Sequence, residues 1–211
     1  FPHDALPIWR EKPKLLDTLD EFSDGLAKCS AKLIRYRASF AERLAEHSTA
    51  IHREFSGGKE ELGIVYRTVG TVTDVHAPAQ EIYYQVCEHQ ETHRQAELDA
   101  GMCLTGAHKD DLDITINGSA ARTFASQGQT RTAALSIKLA EREIFKTETG
   151  EYPVLLLDDV LSELDNQRQS FVLNRIGGGQ TLITCCEDDT IRRRTGGKVF
   201  TVKEGRIRPE P

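Results

Sequence analysis

The run Tyr152-Pro153-Val154-Leu155-Leu156-Leu157-Asp158-Asp159 constrains the fold more than any other stretch of this chain. Four consecutive apolar residues led in by a proline predict a central parallel strand buried on both faces. An open parallel α/β sheet sets its ligands beyond the carboxyl ends of the strands, and there Asp158 and Asp159 emerge. Adjacent carboxylates repel unless a cation or a proton is shared between them. Mg2+, which takes oxygen ligands and keeps several waters, suits such a pair. Asp158 would then hold the water shell of the metal, and Asp159 would orient or deprotonate a water attacking a γ-phosphate. The plainer alternative, that the pair only caps the next helix, leaves the second acid without a purpose.

A second phosphate-handling device precedes the strand. Ser126-Gln127-Gly128-Gln129-Thr130-Arg131 stands where a loop becomes a helix, so backbone N–H groups point outward. Gly128 lets an anion approach closely, the helix dipole favours negative charge there, and Ser126 adds a hydroxyl donor. Arg131 lies one turn further on. In the helix that follows, Ala133, Ala134, Leu135, Ile137, Leu139, Ala140 and Ile144 make an apolar face, with Lys138, Glu141 and Arg142 opposite. By itself this segment reads equally as an ordinary capped helix. The strand that comes after it tips the balance.

These residues resemble the signature motif, Walker B strand and D-loop of ABC-type ATPases, and more closely the RecF branch of the RecF/SMC group. The likeness runs from about Leu104 to Ile207. It takes in Gly106-Ala107-His108-Lys109-Asp110-Asp111-Leu112, which looks like the family's Gly-Pro-His-Arg-Asp-Asp-Leu block, then Phe124 to Gln129, and Leu155 to Asp165. Ala107, Lys109 and Thr130 depart from the usual proline, arginine and glutamine. The resemblance implies an α/β fold, the C-terminal half of an ABC-type P-loop ATPase head with a helical arm domain. Residues 9–100 would belong to the arm and 101–211 to the C-terminal lobe. It also implies ATP and Mg2+ as cofactors and an ATP-dependent homodimer. Ser126, Gln127, Gly128, Gln129, Arg131 and Asp165 would serve nucleotide across the dimer seam, and Asp158 and Asp159 the nucleotide of their own subunit. The implied partners are DNA, single- and double-stranded and at gap junctions, with RecO and RecR in placing RecA. The implied location is cytoplasmic. Another SMC-like head, or a non-catalytic interaction module, stays open as an alternative.

No Gly-x-x-x-x-Gly-Lys-Ser/Thr phosphate loop occurs. Gly101 to Gly106 has the glycine spacing without the lysine, and Ser56-Gly57-Gly58-Lys59 has the lysine without the hydroxyl. The chain starts at Phe1 and its one methionine is Met102. The expectation is a fragment whose amino-terminal half carries the phosphate loop, and which alone binds ATP poorly. Residues 1–8 match nothing that follows and are read as a non-native leader.

Ahead of this lobe, Leu15, Leu19, Phe22, Leu26, Cys29, Leu33, Tyr36, Phe40 and Leu44 step by fours and threes. That spacing predicts one long amphipathic helix, with these residues as its buried core stripe rather than an intermolecular coiled coil. A strand near Leu62 to Arg67 and a helix from about Ala79 to Leu98 follow. After the acids, a helix over 166–176, a buried strand Thr181 to Thr184 and an edge hairpin complete the reading. The absence of any histidine after His108 argues against a transport cassette. The formal net charge of −6 gives no general affinity for nucleic acid. Local clusters suffice for phosphate contact, however. Arg192, Arg193, Arg194 and Lys198 are one candidate for DNA, and Lys28, Lys32, Arg35 and Arg37 a second. No apolar run reaches membrane-spanning length. Five cysteines without metal-ligand spacing fit reduced thiols.

Overall fold

The computed structural model describes residues 13–186 and 196–209, with side chains from Leu16 to Arg208 within those ranges. The proposed leader therefore lies outside the described residues. Helix α1 (Leu19–Phe55) is 37 residues long, or about 55 Å at 1.5 Å per residue. It takes part in two hydrophobic clusters. Near its start, Ala27, Ala31 and Ile34 meet Ile82 and Val86 of α2 (Ala79–Thr92). Towards its end, Leu44, Ile51 and Phe55 join the larger core with α5 (Gln127–Thr149), β4 (Leu155–Asp158) and α6 (Asn166–Arg175).

The strands form three small sheets. β1 (Leu62–Arg67) runs antiparallel to β2 (Asp111–Ile116), with Leu62 opposite Ile116 and Arg67 opposite Asp111. β3 (Ser119–Ala120) extends that sheet and leads into α4 (Ala121–Phe124). β4 and β5 (Thr181–Thr184) are parallel, in register from Leu155–Thr181 to Asp158–Thr184. The crossover between them is α6, as parallel pairing demands. β6 (Phe200–Lys203) and β7 (Arg206–Pro209) make the expected hairpin, turned by Glu204 and Gly205, both at positive φ. Among the described residues no helix is long and apolar enough to cross a membrane.

Several expectations are corrected. The first concerns the stripe on α1. Phe22 and Tyr36 are both 74% exposed, and Cys29, Leu33 and Phe40 also face outward. Leu44 is fully buried, Leu19 and Leu26 are half-buried, and Leu15 lies outside the described side chains. The covered stripe is instead Ala27, Ser30, Ala31, Ile34, Ala38 and Ala41. Small side chains let neighbouring backbone come close, since the separation of packed elements follows side-chain size. The approach is tight at Gly106 (φ 128), where an added Cβ would stand 3.1 Å from Ser30 Oγ, and Ala107 N–H donates to that oxygen at 3.1 Å.

The second correction concerns β4, which is not buried on both faces. Leu157 packs into the core, but Leu156 is 69% exposed and Val154 and Leu182 lie open. Among the described residues the β4–β5 pair is covered on one side only. The strand of Thr181 to Thr184 is likewise half-exposed rather than buried. The third is Arg142, expected on the solvent face of α5 and found buried. Its guanidinium donates to the carbonyls of Arg175, Ile176 and Gly177 at 3.4, 3.1 and 3.0 Å and lies over the Tyr152 ring. Orphan carbonyls at the end of α6 draw the cation inward. Finally, the helix after Ala79 breaks at His93, and α3 (Arg94–Ala100) continues separately.

α3 ends on Gly101 in the left-handed conformation. The cysteines form no disulfide.

Candidate nucleotide site

The acids stand where the strand chemistry placed them. Asp158 ends β4, Asp159 follows it, and both side chains are exposed. Thr184 ends the neighbouring parallel strand in register with Asp158. Its hydroxyl donates to Asp158 Oδ1 and accepts from the Asp159 N–H at 3.0 Å. The same N–H also reaches the Thr184 carbonyl at 3.1 Å. Asp159 adopts φ 53, a left-handed conformation that non-glycine residues rarely take. Such strain clusters at functional sites and costs on the order of 1 kcal/mol. The Ser162 hydroxyl donates to both the Asp159 carboxylate and its carbonyl. Two hydroxyls thus fix the acids, leaving the remaining carboxylate oxygens directed at solvent.

The mouth of α5 is a complete capping box. Ser126 Oγ accepts from the Gln129 N–H at 3.3 Å, and Gln129 Oε1 accepts from the Ser126 N–H at 2.9 Å. Two of the orphan donors of a helix start are satisfied this way. The N–H groups of Gln127 and Gly128 find no acceptor among the described residues. The Ser126 hydroxyl proton also stays available, since Oγ acts only as acceptor in the box. Ser126 and Gln127 are exposed and Gly128 half-exposed, so the mouth is open. Gln129, by contrast, turns its amide back and donates to Glu60 Oε1 at 3.0 Å.

Arg131 and Asp165 have local partners. Arg131 pairs with Glu163 at 2.7 Å, linking α5 to the short turn Leu161–Glu163. Asp165 caps α6, accepting from the N–H groups of Gln167 and Arg168 at 3.0 and 2.9 Å. Arg168 Nη1 lies 3.6 Å from Asp165 Oδ2 and 3.6 Å from the place a Cβ would occupy on Gly128. The segment after β4 and the mouth of α5 are therefore neighbours.

The Gly106 to Leu112 block turns on Asp110, whose side chain is only 3% exposed. It accepts from Arg37 at 2.8 Å, from Thr68 Oγ1 at 2.8 Å and from the Tyr66 hydroxyl. Burial, then the carboxylate itself, pushes the Tyr66 hydroxyl above its ordinary range. Of the cations proposed along α1, Arg37 is held by Asp110 and Lys28 by Asp24. Lys198 is exposed. Arg192, Arg193 and Arg194 lie outside the described residues.

Sequence reasoning missed Thr184, Ser162, Glu60 and His52. Ser162 is three residues from Asp159 and was legible. Thr184 required knowledge of strand register. Glu60 and His52 required the tertiary fold. His52 is fully buried, with Nε2 3.2 Å from Glu60 Oε2 and Nδ1 3.2 Å from Ser136 Oγ. Burial pushes its imidazole below the ordinary value, while Glu60 opposes and Arg168 adds to the shift. The folded state therefore binds the proton less readily than the unfolded chain. The His52 contribution is intact above the unfolded value of about 6.5. It is lost as pH falls from there through the lower folded value. His89 is depressed likewise, by burial and then His93. The urea midpoint is thus expected to fall on acidification below that point, and His52→Gln to flatten the slope. Equal slopes in both proteins would exclude His52 as the source.

Among the described residues no cluster of three or more His, Cys, Asp or Glu stands ready to hold a metal ion. The donor set at the β4 end is two carboxylates and a hydroxyl, all hard oxygen groups. This suits a cation such as Mg2+ that takes few protein ligands and completes its shell with water and phosphate.

No family profile matches the chain. Individual relatives do. The chain is 43% identical over 189 residues to the DNA replication and repair protein RecF of Lysinibacillus sphaericus, covering 88% of this chain and 51% of the relative. It is 41% identical over 207 residues to the protein of that name from Clostridium perfringens, covering 97% and 56%. Two solved structures of the recombination mediator protein RecF in the RecFOR pathway superpose on it. RecF-ATPrS does so with a TM-score of 0.79 at 35% identity, covering 92% of this chain and 50% of the other. RecF-ATP gives 0.77 at 34% identity, covering 92% and 51%. The fold is thus α/β, that of an ABC-type ATPase head. The chain spans about half the length of the curated relatives it matches. Sequence and fold agree over nearly all of this chain: it belongs to the RecF family.

Proposed function

We propose that the chain forms part of an ATP-dependent DNA-repair clamp of the RecF type. Two nucleotides would be held between two heads, and hydrolysis would release them. The observation that carries this reading is the pairing of two exposed, hydroxyl-held acids at the end of β4 with an open helix mouth that offers two unpaired N–H groups and the Ser126 hydroxyl. Solved relatives named RecF-ATP and RecF-ATPrS support ATP as the ligand.

In this reading Asp158 would hold Mg2+ through the metal's waters, its carboxylate fixed by Thr184. Bound Mg2+ would neutralise charge on the phosphate oxygens. Asp159 orients or deprotonates the attacking water, its own position set by Ser162 and Thr184. Ser126, Gly128 and the N–H of Gln127 meet the γ-phosphate held by the opposite subunit. Gln129 serves that contact through the capping box rather than by direct touch. Arg131 and Asp165 shape the seam by holding the Leu161–Glu163 turn and the start of α6. By the same resemblance, the clamp would act on DNA in the cytoplasm, at single-strand gaps, with RecO and RecR to load RecA. Arg192, Arg193, Arg194 and Lys198 would be its candidate DNA contacts. The division into an arm over 9–100 and a lobe over 101–211 belongs to the same reading.

The test uses a protein of the relatives' full length that carries these residues. Sedimentation velocity should give monomers without nucleotide and dimers with ATP. Ser126→Arg fills the mouth and should abolish the dimer while each head still binds ATP. A dimer that ignores ATP, or survives Ser126→Arg unchanged, refutes the clamp.

A further inference from the structure

A buried polar connection lies beneath the mouth of α5 and is not explained by packing. Glu60, between α1 and β1, has both carboxylate oxygens engaged. Oε1 takes the Gln129 amide at 3.0 Å, and Oε2 lies 3.2 Å from His52 Nε2. Its backbone N–H donates to Ser56 Oγ at 3.2 Å, so the loop itself is tied to the end of α1. On the far side of the ring, Nδ1 lies 3.2 Å from Ser136 Oγ, whose hydroxyl also reaches the Thr132 carbonyl at 2.8 Å. The chain Ser126–Gln129–Glu60–His52–Ser136 thus starts and ends on one helix and passes through α1.

The proton assignment follows from chemistry. A carboxylate only accepts, so His52 must present N–H at Nε2. Burial disfavours the imidazolium, which leaves Nδ1 bare, and the single Ser136 hydroxyl proton is shared between the Thr132 carbonyl at 2.8 Å and Nδ1 at 3.2 Å. Gln129 needs its Oε1 on the Ser126 N–H to close the capping box, so its NH2 must find another acceptor. Glu60 is that acceptor. Without it the amide is free to turn, and the box loses its reason to stay closed.

We propose that Glu60 is a positioning residue for the α5 mouth: by fixing the Gln129 amide from below, it keeps the Gln127 and Gly128 N–H groups and the Ser126 hydroxyl aimed outward for a phosphate. The proposal rests on the reading of Ser126–Gln129 as the phosphate-contacting segment.

Two substitutions separate the possibilities. In this chain, 15N shifts of the His52 ring should report the Nε2–H tautomer. Glu60→Gln keeps an oxygen for Gln129 but turns an NH2 towards His52, so the ring should switch to Nδ1–H while the Ser126 amide stays protected. Glu60→Ala should speed hydrogen exchange at the Ser126 amide by about 10-fold, the loss of one hydrogen bond to a charged group. Ile144, in the core, should be unaffected. Unchanged Ser126 exchange in Glu60→Ala, or an Nδ1–H ring in the unaltered chain, overturns the proposal. Should Glu60→Ala lose Ile144 protection as well, the tautomer switch in Glu60→Gln decides. In the family-length protein, Glu60→Ala should weaken ATP-dependent dimerisation by about 10-fold, with Glu60→Gln near normal. If Ser126→Arg abolishes dimers and Glu60→Ala leaves them untouched, the Glu60 inference fails alone. If neither matters, the reading of the mouth has failed.

Discussion

Asp159→Asn in a protein of the relatives' full length is expected to lower ATP turnover by about 10²- to 10⁴-fold, the range for losing a general base. The variant isolates chemistry from structure. Asparagine tolerates the left-handed backbone that Asp159 adopts at φ 53. Its carbonyl oxygen can still accept from Ser162, and its N–H still reaches Thr184. What disappears is the negative charge that would orient or deprotonate water. ATP-dependent dimers should therefore persist and live longer, since release follows hydrolysis in the proposed cycle. Single-turnover kinetics beside sedimentation velocity checks both halves. Unchanged turnover would remove Asp159 from the mechanism and leave the acid pair as a cap.

Asp110→Ala is expected to cost about 3 kcal/mol in folding stability, because it removes the acceptor of a buried network and leaves its donors stranded. Arg37, Thr68 and Tyr66 all converge on this carboxylate from α1 and the β1 region. Tyr66 and Thr68 are half-buried, and Asp110 is their acceptor. With a urea slope of roughly 2–3 kcal/mol/M for a domain of this size, the midpoint should fall by about 1 M with the slope unchanged. The neighbouring acid is the control. Asp111 is exposed and meets Arg67 only at 3.5 Å, so Asp111→Ala should stay within about 0.5 kcal/mol. Equal losses from both acids would mean that the network around Asp110 contributes nothing special.

The adjacent pair also explains how a block legible as a family resemblance hides two different tasks. Asp110 points inward and ties the loop to α1, whereas Asp111 opens β2 and faces solvent. Nothing in the order of the letters distinguishes them. The tertiary contacts do: Asp110, just before β2, receives Arg37, Thr68 and Tyr66, which only the fold brings to it.

The two ends of α1 make the same point about packing. A reading weighted by side-chain size selects Phe22, Leu33, Tyr36 and Phe40, which are exposed. The alanine stripe that is covered has little hydrophobicity per residue, and its value lies in how closely it lets Gly106, Ala107 and α2 approach. Arg142 is a parallel case. On a helical wheel it belongs with Lys138 and Glu141, but the carbonyls ending α6 and the Tyr152 ring hold it inside.

From the sequence alone came the elements that depend on local order: the strand ending in Asp158 and Asp159, the capped start of α5 at Ser126, the helix after Asp165 and the terminal hairpin. Their determinants are runs, caps and turn residues a few positions apart, which act before any long-range contact forms. Tertiary structure alone decided which face of α1 is covered, that the Thr184 hydroxyl holds Asp158, and that Glu60 and His52 stand beneath the α5 mouth. Those outcomes depend on distances between residues far apart in the chain, and hydrogen bonds and close packing act only when folding has brought such residues together.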